Sequence, residues 1–215
     1  MSLVIFDVDG VLEKEEKLIQ ARYNKLMDLV CKLNNINLKQ AKDKYKEIKN
    51  NLPIQKRNTS AYIFKELGLS RNKYFEIIDS VNPKKLIEPH NNCLEILETL
   101  SKKNVLVTYS NTPKKALINT LKAIKAESYF KNNYSAENFE ESKPSIKNLK
   151  KIMEKEGFKI KDTVLIGNSL EKDIIPPHKL GIKVILFDQK NKYIKVKEAD
   201  YVIKDLKEIM NILSN

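Results

Sequence analysis

The stretch LVIFDVDGVL, residues 3–12, decides the fold that the sequence predicts. An apolar run of strand-forming residues ends in two acids, Asp7 and Asp9, and Gly10 then allows the backbone to turn away. In an open parallel sheet helices cover both faces, so ligands bind at the carboxyl edge of the strands. We therefore expect Asp7 and Asp9 to lie at such an edge.

Two carboxylates so close together suggest a functional site that binds a metal ion. Asp7 and Asp9 repel one another, and a hard divalent cation such as magnesium relieves that repulsion by taking oxygen ligands. On this stretch alone an alternative remains open, in which the strand ends in an Asx-type turn and both acids are solvated. The decision between the two must come from the rest of the chain.

The composition is typical of a globular protein. Its 215 residues can bury one substantial core, or a core with a smaller insertion. The 41% of hydrophobic and 32% of charged residues argue against a disordered or membrane-embedded chain. No apolar run approaches the ~18 to 20 residues of a membrane helix. The N-terminus has the character of a strand rather than of a signal peptide, so we expect a cytoplasmic protein with no membrane partner.

Cysteine and histidine usage gives no sign of a metal site. Cys31 and Cys93 each fall in an apolar helical pattern without a histidine or second cysteine nearby, so we expect buried thiols. His90 and His178 each follow a proline, and we interpret them as surface or turn residues rather than proton-transfer groups.

The positive charge is concentrated in one part of the chain. Residues 14–85 contain 17 Lys or Arg against 8 Asp or Glu, which is +9 of the net charge of +12. Such a field could attract a phosphorylated metabolite or a nucleic acid. The alternative is a lysine-rich helical surface that is simply solvated.

Two patterns of apolar residues divide the chain. Residues 14–85 carry four successive helical patterns with no strand between them, which predicts an inserted helical module. After Pro83 and Pro89 the pattern changes to alternating helices and strands, with strands expected at 105–109, 163–166, 183–187 and 201–203 and a short extended piece near residue 134. This alternation predicts an α/β fold with a parallel sheet and right-handed crossovers.

Polar side chains follow several of the predicted strand ends. The candidates are Asp7 and Asp9, then Ser110 and Asn111, then Lys143 before Pro144, and finally Asn168 to Asp173 after Gly167. We expect these groups to meet at one edge of the sheet. A nucleophile, a hydroxyl donor, a cation and a second acidic site are the parts of a phosphoryl-transfer pocket.

These segments resemble the four motifs of the haloacid dehalogenase superfamily, in particular of its magnesium-dependent phosphatases. In chain order they read FDVDGVL, TYSN, SKP and GNSLEKD. Their order and spacing match the family over nearly the whole chain. The resemblance implies a Rossmann-like core formed by residues 1–13 and 86–215, with an inserted α-helical cap at residues 14–85.

The resemblance also implies a role for each acid of the first motif. Asp7 would be the nucleophile that attacks phosphorus, and water would then cleave the aspartyl-phosphate. Asp9 would protonate the leaving oxygen and afterwards deprotonate that water. Dehalogenating members of the family lack an acid at the position of Asp9, because displacing a halide needs no proton. Phosphate chemistry is therefore favoured.

The second and third motifs would bind the phosphoryl group. By the resemblance Ser110 would donate to a phosphoryl oxygen, with Asn111 beside it, and Lys143 would neutralise charge at the same group. Each residue also has an ordinary structural alternative. Ser110 could cap a turn, and Lys143 could pair with Glu140 or Glu141.

The metal implied by the resemblance is a magnesium ion (Mg2+). Its ligands would be Asp7, Asp9 through its main-chain oxygen, Asn168 and Asp173. Asn168 departs from the family pattern, because family phosphatases more often carry an aspartate there. An amide oxygen can coordinate magnesium but brings no charge, so we expect a lower metal affinity.

The sequence therefore predicts a cytoplasmic, magnesium-dependent phosphatase that acts on a small phosphorylated metabolite through an aspartyl-phosphate. The helical cap would exclude water and select the substrate, and its charge suggests a further anionic group on that substrate. One alternative is a phosphomutase of the same family. The other is a catalytically weakened protein whose basic cap binds a polyanion, such as a nucleic acid.

Overall fold

The computed structural model describes residues 1–57, 59–193 and 196–213, in which six strands form one parallel sheet. The strands are β1 (Leu3–Phe6), β2 (Val105–Tyr109), β3 (Asn132–Tyr134), β4 (Thr163–Gly167), β5 (Lys183–Phe187) and β6 (Tyr201–Ile203). Their order across the sheet is β3-β2-β1-β4-β5-β6, and every neighbouring pair is parallel. The predicted α/β class and the Rossmann-like core are confirmed.

Ten α-helices accompany the sheet over the same described ranges. They are α1 (Glu16–Asn34), α2 (Leu38–Asn51), α3 (Ile54–Arg57), α4 (Ser60–Glu66), α5 (Arg71–Asp79), α6 (Cys93–Ser101), α7 (Lys114–Ala123), α8 (Ile146–Glu156), α9 (Ile175–Leu180) and α10 (Glu208–Leu213). None of these helices combines the length and the apolar composition that crossing a membrane requires.

Strand β1 lies at the centre of the sheet because its side chains are apolar on both faces. It pairs with β2 on one side and with β4 on the other, and all four of its residues are at most 1% exposed. Val4 and Phe6 pack into one buried cluster, and Leu3 and Ile5 pack into the cluster on the opposite face. A doubly covered strand fits the continuous apolar run in the sequence.

Helices α1 to α5 lie between β1 and β2 in the chain, and α1, α2, α4 and α5 share a cluster of buried side chains. Leu26, Ile63, Phe64 and Tyr74 belong to this cluster, and Ala116 of α7 joins it from the core side. Arg71 also connects the two parts, because its guanidinium donates to main-chain oxygens of residues 136 and 139. The helical segment therefore packs against the sheet-bearing part through both apolar and polar contacts.

The ends of these helices follow the expected local signals. Asn37 accepts from the backbone N–H of Gln40 in a capping box, and Ser70 accepts from the N–H of Lys73. At the end of α8, Gly157 has a φ of +78°, a left-handed conformation that glycine adopts readily.

Several sequence predictions are corrected by the structure. The first apolar helical pattern in the sequence predicts a helix from about Lys14 to Asn34. Helix α1 begins at Glu16 instead, because Glu13 pairs with Pro89 in an antiparallel bridge that keeps the chain extended. A short fifth helix, α3, interrupts the predicted run of four. The sequence Ser110-Asn111-Thr112-Pro113 predicts Thr112 as the cap of the following helix, with Pro113 as its first residue. In the structure Pro113 holds the cap position of α7 and Lys114 begins the helix.

The cysteines and histidines also differ in part from expectation. Cys93 is buried as predicted, whereas Cys31 is only half-buried. The surface interpretation of His90 is wrong, because the residue is 7% exposed and its ring packs edge-on against Phe187. His90 lies next to the antiparallel bridge of residue 13, and its backbone N–H donates to the carbonyl of Leu12.

Candidate active site

The candidate residues meet at the carboxyl edge of the sheet, as the strand topology requires. Asp7 directly follows β1, and its backbone N–H donates to the carbonyl of Ile166 in β4. Ser110 directly follows β2, and its N–H donates to the carbonyl of Tyr134 in β3. These bonds continue the sheet ladder by one residue, so the side chains that follow are held in fixed positions.

Lys143 lies between two carboxylates. Its Nζ is 2.9 Å from Oδ1 of Asp7 and 2.9 Å from Oδ1 of Asp173, and it lies over the ring of Tyr109. Its side chain is only 3% exposed. Burial by itself would lower the pKa of Lys143, but Asp173 and Asp7 outweigh that effect and hold the pKa above its ordinary value. The pairing with Glu140 or Glu141 is not found.

The surroundings of Asp7 disfavour the ionised form of its carboxyl group. Burial, together with the charges of Asp173 and Asp9, raises its pKa, and Lys143 opposes the rise. Its Oδ1 also accepts from the backbone N–H of Val8 at 2.9 Å. An additional cation beside Asp7 would therefore stabilise its ionised form.

Asp9 is held by donors from both parts of the protein. Its Oδ2 accepts from Ser110 Oγ at 2.9 Å and from Thr112 Oγ1 at 2.8 Å. Its Oδ1 lies 3.4 Å from Nη1 of Arg22, which belongs to α1. Burial alone would raise the pKa of Asp9, but Arg22 and the two hydroxyls keep it below its usual range. Asp9 is therefore ionised in the free protein.

Ser110 and Asn111 organise the loop as well as the site. Ser110 Oγ accepts from the backbone N–H of Thr112 while it donates to Asp9, so the hydroxyl both caps the turn and contacts the acid. Asn111 accepts from the backbone N–H of Lys143 at 2.6 Å and donates to the carbonyl of the same residue at 3.3 Å. This reciprocal pair fixes the backbone that carries the Lys143 ammonium group.

Asn168 and Asp173 belong to the same edge but make different contacts. Asn168 Nδ2 donates to the main-chain oxygen of Asp9 at 3.0 Å. Asp173 is fully buried, and its Oδ2 accepts from the backbone N–H of Ser169. Gly167 makes this approach possible, because a Cβ there would lie 2.3 Å from the Cβ of Asp173. The GNSLEKD segment thus places the Asp173 carboxylate in contact with the ammonium group of Lys143.

The oxygen donors at this edge fit a magnesium ion. The Asp7 carboxylate and the main-chain oxygen of Asp9 are hard donors of the kind that magnesium prefers. Asn168 turns its amide nitrogen toward Asp9, and half a turn of the amide presents its oxygen at the same place. Asp173 adds a second carboxylate, which Lys143 already neutralises. The residues therefore suit the metal that the sequence motifs imply.

The structure adds residues that the sequence interpretation missed. Arg22 occupies a position four residues after Leu18 and four before Leu26, so a charged residue within the buried face of α1 was the available signal. Glu13 and Glu15 bring carboxylate oxygens within 4.8 Å of that of Asp9. Burial raises the pKa of Glu13 to about 9 and that of Glu15 to about 8, so both resist ionisation.

A cavity of about 820 Å³ lies between the helical segment and the sheet edge. Its walls include Asp9, Asn111 and Asn168 from the sheet edge and Arg22, Arg71 and Tyr74 from the helices. A space of this size holds a small metabolite. Because Asp9 and Arg22 both line it, a ligand in the cavity can reach the Asp9 carboxylate and the helical segment together.

Known structures share this fold over the full length of the chain. A haloacid dehalogenase (HAD) phosphatase from Thermococcus onnurineus has a TM-score of 0.80 and 24% sequence identity, and the match covers 99% of this chain and 98% of that one. A HAD hydrolase from Bacillus subtilis bound to magnesium has a TM-score of 0.67 and 20% identity, covering 100% and 99%. At these identities the likeness concerns the fold.

A curated relative is similar over part of the sequence. The glyceraldehyde 3-phosphate phosphatase of Methanocaldococcus jannaschii is 30% identical over 90 residues, which span 40% of this chain and 39% of that protein. The sequence pattern of the haloacid dehalogenase-like hydrolases matches a much longer span, residues 4–187. That span contains all four motifs and every candidate residue described above, and the chain belongs to the haloacid dehalogenase-like hydrolase family.

Proposed function

We propose that this protein is a magnesium-dependent phosphatase that hydrolyses a small phosphorylated metabolite in the cytoplasm. The observation that supports this most strongly is the placement of Asp7 against Lys143, with the Asp9 carboxylate bound to Ser110 beside it. A nucleophile, a cation and a proton-transfer group then lie close together at the sheet edge. An acid at position 9 has a use when an alcohol leaves, and none when a halide leaves.

In the first step, a carboxylate oxygen of Asp7 attacks phosphorus and the bond from phosphorus to the substrate oxygen breaks. The carboxyl group of Asp9 gives its proton to that departing oxygen, so the product is a neutral alcohol. Asp9 is ionised in the free protein, and the charge of a bound phosphate dianion favours its protonation. The aspartyl-phosphate on Asp7 remains.

In the second step, a water molecule attacks the phosphorus of the aspartyl-phosphate. Asp9, now ionised, accepts a proton from that water, and the bond between phosphorus and the Asp7 oxygen breaks. Inorganic phosphate leaves and the Asp7 carboxylate is free again. Asp9 then releases the proton taken from water, because the phosphate charge that favoured its protonation has left, and it returns to its ionised state. Ser110 and Lys143 donate to the phosphoryl oxygens, and Asn111 keeps Lys143 in place through its backbone.

When bound, Mg2+ supplies positive charge that screens the anionic nucleophile from the anionic phosphate. Asp7, the main-chain oxygen of Asp9, Asn168 and Asp173 are the residues that would hold it. We also propose that residues 14–85 act as the cap over a core formed by residues 1–13 and 86–215. The cavity between the helices and the sheet edge supports this division.

The experiment is phosphate release from a panel of phosphorylated metabolites, with and without magnesium, by the wild type and by Asp7→Asn. We expect metal-dependent release that is lost in the variant, while circular dichroism and thermal melting show that the variant is folded. Undiminished release by Asp7→Asn would overturn the mechanism. If a sugar phosphate is isomerised through a bisphosphate without net release, the protein is a phosphomutase instead. If a folded protein releases nothing, polyanion binding by the helical segment becomes the favoured function.

A further inference from the structure

The candidate cap places a buried arginine beside the candidate acid. Arg22 lies on the face of α1 that also carries Leu18 and Leu26, and it is 8% exposed. Its Nη1 is 3.4 Å from Oδ1 of Asp9. Burying a guanidinium on an otherwise apolar helix face costs desolvation free energy. An anion that accepts its hydrogen bonds would offset that cost.

The contacts of Arg22 leave part of its donor set unused. Its Nη1 reaches Asp9, whereas Nε and Nη2 are buried without a hydrogen-bond acceptor among the described residues. These two nitrogens present parallel N–H bonds along one edge of the planar group. That edge matches the two oxygens of a carboxylate or of a phosphate.

The cavity gives such an anion room beside the reaction centre. Arg22 and Asp9 both line it. Asp9 is the group that protonates the leaving oxygen in the proposed mechanism, and Arg22 contacts Asp9 directly. An oxyanion bound to Arg22 must therefore lie only a few bonds from the ester oxygen of the substrate.

Resting on the proposed function, we infer that Arg22 recognises a second oxyanion on the substrate, separate from the phosphoryl group that is transferred. The substrate class is a short phosphorylated hydroxy acid, or a short bisphosphate with the same spacing. Arg22 is a specificity-determining residue in this view, since its free N–H edge is satisfied only by a substrate that carries the additional anion. A neutral alcohol of the same size would leave the edge unpaired.

Two matched pairs of substrates test the inference. The first pair is 2-phosphoglycerate and glycerol 2-phosphate, which share a skeleton and differ by a carboxylate in place of a hydroxymethyl group. The second pair is ethane-1,2-diol bisphosphate and its monophosphate. For the wild type we expect kcat/KM to be roughly 10- to 100-fold higher for the doubly anionic member of one pair, the range that a charge-assisted hydrogen-bond pair supplies. The pair that shows the preference identifies the oxyanion as carboxylate or phosphate.

Variants at position 22 separate recognition from general damage. Arg22→Gln removes the charge and Arg22→Lys keeps the charge but removes the planar edge. Both alter the surroundings of Asp9 and so change kcat for every substrate, but only loss of recognition removes the preference within a pair. Lys32→Gln, which removes one exposed positive charge from the same helix, is the matched control and should keep the preference.

A binding measurement keeps the result independent of turnover. In the Asp7→Asn variant, thermal stabilisation by 2-phosphoglycerate should exceed that by glycerol 2-phosphate, and the additional Arg22→Gln change should remove the difference. If the protein hydrolyses p-nitrophenyl phosphate but shows no preference for the doubly anionic substrate in either pair, the inference is overturned and the proposed function stands. A persistent preference in Arg22→Gln would overturn it as well. If neither p-nitrophenyl phosphate nor any member of the pairs is hydrolysed or bound, the proposed function fails, and the inference with it.

Discussion

The ammonium group of Lys143 lies 2.9 Å from the carboxylate of Asp7, and both groups are removed from most contact with water. The side chains are 3% and 13% exposed, so the attraction between them is screened little by solvent. Since the same ammonium group also binds Asp173, one lysine neutralises two acids of the site. The charge on Lys143 is therefore as important to the fold of this edge as to the chemistry proposed for it.

Replacing Lys143 by Met should destabilise the protein and abolish most of its activity. The change leaves Asp7 and Asp173 buried without their cation, so we expect a loss of about 3 kcal/mol or more in the free energy of unfolding. Urea denaturation at pH 7 measures it. Lys147→Met removes an exposed lysine a short distance along the chain and is the control. An unfolding free energy equal to the wild-type value would show that the two acids are not held by this lysine.

The metal requirement should respond to the residue at position 168. Asn168→Asp introduces a carboxylate next to the main-chain oxygen of Asp9, and a charged ligand binds magnesium more strongly than an amide. We expect the magnesium concentration for half-maximal phosphate release to fall severalfold. Calorimetric titration of magnesium into the protein without substrate should show the same change in affinity.

Asn168→Ala is the companion variant, because it removes the amide oxygen and adds no charge. It should weaken magnesium binding in the same titration. Affinities that are identical in wild type, Asn168→Asp and Asn168→Ala would mean that this side chain does not contact the metal. The lower affinity expected from the sequence would then need another origin.

The sheet edge could be predicted from the sequence because local signals determine it. An apolar run that ends in polar residues marks each strand end, and parallel pairing then brings those ends together whatever the details of the loops. Asp7 and Ser110 were found in this way, and their distance in the chain did not matter because β1 and β2 are neighbours in the sheet. Lys143 lies nine residues after β3, in the loop before α8, and the resemblance of SKP to the third family motif identified it.

Contacts that depend on the relative placement of two elements could not be predicted. Thr112 was expected to cap α7, but β1 and β2 are neighbours and the hydroxyl of Thr112 therefore reaches Asp9. Arg22 interrupts the apolar face of α1. The helical periodicity of apolar residues shows the interruption, but it does not predict what the Arg22 side chain contacts. Only the packing of the helical segment on the sheet edge shows that Asp9 is its partner.

A buried carboxylate outside the group of candidate site residues should control the acid sensitivity of the fold. Glu156 of α8 accepts from Asn132 Nδ2 at 2.7 Å and from the Tyr134 hydroxyl at 2.6 Å, and it lies 3.0 Å from Lys131 Nζ. Burial would raise the pKa of Glu156, but Tyr134, Lys131 and Asn132 together hold it below the ordinary value of 4.5. The stabilisation is therefore complete above the unfolded-state pKa and is lost as the pH falls through the lower folded-state pKa.

Glu156→Gln should consequently lower the free energy of unfolding by about 1 kcal/mol at pH 7, because the amide keeps the shape of the acceptor and loses its charge. Below the unfolded-state pKa the deficit should shrink, because Glu156 is protonated first in the unfolded chain. At a pH below its folded-state pKa it is protonated in the folded protein as well and resembles the amide. Urea denaturation at a series of pH values from 7 down to the acid limit of the folded protein measures the difference. Glu154→Gln, an exposed change on the same helix, should give no deficit at any pH. A deficit for Glu156→Gln that stays constant with pH would show that packing, and not the charge of Glu156, holds β3 against α8.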